Sequence, residues 1–147
     1  MVETNDRRLP VGIQSFEKIR KEGYLYVDKT DIIWQLANRN KTYHYLSRPR
    51  RFGKSVLVDT LEAYFLGKKE LFEGLKIMQL ETEWVKRPVI RLDMSRAGAE
   101  PETLRSYLNN IFRQYEKVYS LVPDPTDSLA DRFDAIIQTA YEQTGQQ

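Results

Sequence analysis

Between Thr42 and Phe65 the apolar pattern changes its period, and few folds accommodate such a change. The run "TYHYLS", Thr42 to Ser47, is β-branched and aromatic, which is the composition of a strand. Beyond Gly53 the residues Val56, Leu57, Thr60, Leu61, Tyr64 and Phe65 recur every three to four positions. That is the stripe of a helix with one buried face. The turn between them, Arg48 to Ser55, is basic and ends in Gly-Lys-Ser. Strand, basic turn and helix in that order are the setting a phosphate-binding loop requires.

The rest of the chain repeats the alternation. Tyr24 to Val27 form a short strand-like run behind Gly23, followed by a helical stripe of Ile32, Ile33, Leu36 and Ala37 with Thr30 or Asp31 as its cap. "LFEGLKIMQL" suits a short helical turn and connector, and Val89 to Met94 a third strand opened by Pro88. Pro101 fits the first position of a long helix. Its buried side would be Leu104, Tyr107, Leu108, Ile111, Phe112, Tyr115, Val118 and Tyr119. "PDPT" breaks that helix, and Ser128 with Asp131 resembles a capping box for a last one. The last helix would bury Leu129, Phe133, Ile136, Ile137 and Tyr141 and stop near Gly145. The expected fold class is α/β, with a mainly parallel sheet and flanking helices. About three strands make that sheet incomplete.

Composition narrows the chemistry. With 23 Lys plus Arg against 21 Asp plus Glu in 147 residues, the net charge is only +2, so polyanion binding must rest on local clusters. The absence of cysteine excludes disulfides and thiolate chemistry, and His44 is the only histidine. His44 reads as a packed or edge strand residue rather than a catalytic one. No apolar run is long enough to span a bilayer or to serve as a signal core, so a cytoplasmic location without membrane contact is expected.

Binding a triphosphate needs converging backbone N–H groups and a cation, and the start of a helix supplies the former. In G-x-x-x-x-G-K-[ST] the lysine reaches the β- and γ-phosphates and the hydroxyl ligates magnesium; Lys54 and Ser55 stand there. In that reading Gly53 allows close backbone approach, and the N–H groups of Ser55 and Val56 would point at phosphate oxygens. The first glycine is missing, since position 48 is Arg48. Pro49 can preset the turn in its place, while Arg48, Arg50 and Arg51 add fork-shaped cationic donors.

The run "SRPRRFGKS", Ser47 to Ser55, resembles the signature loop of a bacterial predicted AAA-type ATPase family, often joined to a restriction-endonuclease-like nuclease domain. "LPVGIQSFEKIRKEGYLYVDKT" and "RPVIRLDMS" are similar to its opening segment and next strand. The resemblance implies a P-loop NTPase-like fold, with residues 1–9 a flexible lead and 10–147 the N-terminal part of the ATPase-like domain. It implies ATP and Mg²⁺ as cofactors and a site made of Arg50, Arg51, Phe52, Gly53, Lys54, Ser55 and Val56, with Ser55 at the metal. It places the metal-binding acidic strand just past Gln147, so hydrolysis by this chain alone is doubtful, and missing C-terminal ATPase or nuclease-like regions or another protein would be its partners. Asp93, closing an apolar run, either approaches the magnesium or caps the following turn. Tyr26 to Thr30 are candidates for the nucleoside side of the pocket. Two other functions stay open: a nucleic-acid module gripping backbone phosphates through "RPRRFGK", and an interaction domain with a vestigial loop.

Overall fold

A computed structural model describes residues 8–39 and 43–145. They form six α-helices: α1 (Phe16–Lys21), α2 (Thr30–Asn38), α3 (Lys54–Phe65), α4 (Ile77–Leu80), α5 (Pro101–Val118) and α6 (Leu129–Thr144). Two 3₁₀ turns, Lys69–Phe72 and Met94–Arg96, join them. No strand occurs among the described residues, which overturns the expected α/β fold with its P-loop-type parallel sheet.

The reason lies in where the backbone groups of the β-rich runs go. A strand exists only as part of a ladder. The Leu25 N–H donates to the Arg8 carbonyl at 2.9 Å, and the Tyr24 N–H goes back to Ile19 at the end of α1. Tyr43 to Ser47 are exposed, Tyr43 and Tyr45 at 89% and 93%, and His44 is exposed with them rather than packed. Thr42 lies outside the described residues, as do the first seven residues of the expected lead. Of the Val89–Met94 run, the Arg91 and Asp93 N–H groups donate to the hydroxyls of Tyr115 and Tyr107 on α5, at 2.8 and 2.9 Å. Tyrosine hydroxyls thus replace a neighbouring strand.

The chain divides into two compact units, Met1–Lys86 and Arg87–Gln147. The first is centred on aromatic rings. Phe16 lies 5.0 Å from Phe72 and 5.1 Å from Tyr26, and Trp84 closes on Phe72 at 5.1 Å and Tyr64 at 5.7 Å. Ile33 and Ile77 complete this core. Helix α1 has only six residues, too few to be stable alone. Tertiary bonds hold it: Asp59 of α3 accepts the Phe16 N–H at 2.6 Å, and Arg20 donates to the carbonyls of Leu71 and Glu73 at 2.7 and 2.5 Å.

Neither Thr30 nor Asp31 caps α2. The N-cap is Lys29, which makes no side-chain cap bond; Asp28 just before it accepts from the Thr30 N–H (2.9 Å) and hydroxyl (2.7 Å), while its other oxygen takes the Lys76 N–H (2.7 Å). Burial pushes the Asp28 carboxyl up, but these three bonds outweigh it and hold it below the usual range. The fully buried Thr30 hydroxyl accepts in turn from the Ile77 N–H. Two side chains thus tie the starts of α2 and α4 together.

Glu17 accepts from Lys21 at 2.5 Å and Lys68 at 2.8 Å, and those bonds lower its carboxyl from 4.5 to about 2. A carboxylate depressed in the folded state stabilises the fold above its unfolded value and ceases to do so as pH falls through the folded one. Wild type and Glu17→Gln should therefore differ in urea midpoint above about pH 4.5 and converge toward pH 2. A gap independent of pH would exclude the carboxylate as its source.

The second unit is built on α5 and α6. Arg132, early in α6, bonds Asn109 and Glu116, whereas Gln143, late in α6, bonds the Tyr119 carbonyl at the end of α5. The two helices therefore run in the same sense, and the segment Tyr119–Ser128 carries the chain back. Phe112 stacks on Phe133 at 5.4 Å, and Ile136 and Ala140 are buried beside them. Three positions of the expected buried stripes, Val118, Ile137 and Tyr141, face out instead. Ala140 takes a core position.

Candidate functional site

The turn before α3 has an unusual backbone. Gly53 is the N-cap of α3 with φ 74° in the left-handed region, where glycine is at no disadvantage. Arg51 shares that region at φ 67°, a conformation costing a non-glycine residue about 1–3 kcal/mol. Glycine has no side chain to cap with, and α3 has no side-chain cap. The Leu57 N–H reaches the Gly53 carbonyl at 3.0 Å. The N–H groups of Lys54, Ser55 and Val56 belong to the first turn, which has no intrahelical acceptor.

Those residues line a cleft of about 570 Å³ together with Arg51, Gly53 and an arm of the chain at Pro10, Gly12, Ile13 and Gln14. Its volume is in the range of small-molecule sites. The sequence analysis missed that arm as part of the site. The signal for it was the Pro10–Gly12 turn, which brings the backbone back toward the loop.

Arg50, Arg51, Phe52, Gly53, Lys54 and Ser55 are all exposed, and Val56 is half-buried. The Lys54 ammonium spans the loop and donates to the Arg48 carbonyl at 2.8 Å. A long contact of 3.5 Å runs from the Arg48 guanidinium to the Phe52 carbonyl. Both interactions are solvent-exposed and internal to the loop, so a bound anion can compete for the ammonium. Arg50 does not line the cleft.

Tyr26, Val27 and Lys29, from the suggested nucleoside side, line an adjoining cavity with Arg48 and Phe52. Thr30 does not: it is buried between α2 and α4. Asp93 accepts from the Ser95 N–H at 3.2 Å and hydroxyl at 2.5 Å, capping the 3₁₀ turn that follows. The Ser95 hydroxyl bond lowers the Asp93 carboxyl below its ordinary value. No cluster of three histidine, aspartate or glutamate ligands exists among the described residues, and no helix among them is long and apolar enough to cross a membrane.

An uncapped helix start, a left-handed glycine and two cations, Arg51 and Lys54, make a site suited chemically to an oxyanion group. The chain belongs to the predicted AAA-ATPase family, whose model matches residues 10–147. It is also similar to a protein described as an uncharacterized protein in the vnfD 5' region of Azotobacter chroococcum mcd 1. The two are 48% identical over 88 residues, which are 58% of this chain and 17% of that protein. This chain thus spans well under two thirds of that relative's length. No solved structure matches it.

Proposed function

We propose that this chain binds a nucleoside triphosphate, ATP with Mg²⁺, through the loop from Arg50 to Val56. The observation that most supports this is the uncapped start of α3, where the Lys54, Ser55 and Val56 amides border an open cleft. Three donors and the dipole of a twelve-residue helix favour a multiply charged anion there. Lys54 adds a mobile ammonium and Arg51 a guanidinium. In this reading Ser55 would present its hydroxyl to a phosphate-bound magnesium, whose remaining ligands would be phosphate oxygens and water. The family supports nucleotide chemistry in general terms.

Calorimetric titration of Mg-ATP into the folded chain tests this. Saturable binding at micromolar to millimolar nucleotide is expected, and no heat at millimolar nucleotide would refute it. Ser55→Ala should weaken Mg-ATP binding by about ten-fold, roughly one hydrogen bond or ligand to a charged group. It should leave ATP binding in EDTA unchanged. An equal loss with and without magnesium would remove Ser55 from the metal.

The exposure of Arg48, Arg50, Arg51 and Lys54 favours a second reading, a grip on nucleic-acid backbone. Such binding falls steeply with salt because counterions are released. A salt-insensitive, magnesium-dependent nucleotide complex would exclude it as the main activity.

A further inference from the structure

The cleft at the start of α3 does not end at the polar loop. Four of its lining residues, Pro10, Ile13, Gly53 and Val56, also line a second cavity of about 320 Å³. The two spaces therefore adjoin at Gly53 and share part of their walls. They differ in chemistry. The first holds the amides, Lys54 and Arg51, whereas the second is walled mainly by apolar side chains, among them Leu25, Val27, Phe52 and Leu57.

Three of those walls are incompletely buried: Phe52 is 64% exposed, Val27 69% and Leu25 40%. Scattered exposed apolar residues need no explanation, but a cluster lining one concavity points to a ligand surface. Phe52 belongs to the loop itself and sits next to Gly53, and its carbonyl takes a long contact from Arg48. The charged side chains of this cavity are Lys29 and Arg48, and no carboxylate lines it. It therefore suits a flat apolar group joined to an anionic tail.

We infer that the apolar cavity between Phe52 and the Leu25–Val27 segment seats the nucleobase of the triphosphate whose phosphates lie at the start of α3, with Phe52 stacking on the ring. This rests on the proposed phosphate site. The base is held by ring and aliphatic contact, in the way exposed aromatic side chains hold bases elsewhere. Without a carboxylate in the wall, recognition depends on ring area more than on a particular hydrogen-bonding edge.

Titrations of Mg-ATP and of inorganic triphosphate with magnesium test the two ideas separately. Mg-ATP should bind at least ten-fold more tightly than triphosphate, an increment within the range for one stacked base. Phe52→Ala should close most of that gap, by weakening Mg-ATP more than triphosphate. Val27→Asp, in the same cavity wall but outside the loop, should weaken Mg-ATP by a similar factor and spare triphosphate. Equal affinities of the two ligands for the wild-type chain would overturn the base site and leave the phosphate site standing. A gap that survives both substitutions would overturn it as well. Binding of neither ligand would bring down the phosphate site and the base site together.

Discussion

Replacing Lys54 by alanine is expected to weaken Mg-ATP binding by about ten- to a hundred-fold while leaving the chain folded. A hydrogen bond to a charged partner contributes about 1.5–3 kcal/mol, and each 1.4 kcal/mol is a factor of ten in affinity. The fold loses little, because the ammonium makes a single exposed bond to the Arg48 carbonyl in the free loop. The net gain on binding is set by exchanging that carbonyl for a phosphate oxygen, which is the stronger partner because it is charged. Titration of the variant beside a thermal unfolding curve checks both halves. Unchanged affinity with a native melting profile would remove the ammonium from the site.

In the second unit the largest effect should come from Arg132. Its guanidinium bonds both Glu116 oxygens, at 2.7 and 2.9 Å, and Asn109 at 2.5 Å, and lies over the Phe112 ring at 5.8 Å. The two charged side chains are only 11% and 5% exposed. Arg132→Met strands a buried carboxylate, which typically costs about 3–5 kcal/mol. The double variant Glu116→Leu with Arg132→Met removes the orphaned charge and should recover most of the loss. Hydrogen exchange of the α5 and α6 amides reads this locally, since both tryptophans, Trp34 and Trp84, lie in the first unit. If the single variant slowed or left unchanged the opening of those amides, the ion pair would not be what holds the helices together.

The long helices were legible because their limits are written locally. Pro101 opens α5, the Ser128–Asp131 capping box opens α6, and Gly145 closes it in the left-handed conformation. Each device acts over no more than about four residues. The apolar stripe of α3 was legible for the same reason, with Thr60 and Tyr64 buried where the period puts them. Helix α1 was missed despite its Ser15 cap: two buried residues, Phe16 and Ile19, are too few to show a period. At the candidate site the loop could be read from Gly53, Lys54 and Ser55, but not the arm at Pro10–Gln14 that walls the cleft. Nothing in either segment names the other.

The linear order of residues was enough to define where helices begin and end, how the basic loop is composed and which helix it introduces. Those properties depend on neighbours a turn away. Folding settled the matters that depend on distant partners. Asp59 reaches an amide 43 residues away and Asp28 one 48 residues away, so their roles could not be read from their own surroundings. The β-rich runs show the same limit: their composition suits a ladder, but the groups nearest to their N–H donors are a carbonyl at Arg8 and the hydroxyls of Tyr107 and Tyr115. A strand is a property of a pair of segments, whereas a helix is a property of one.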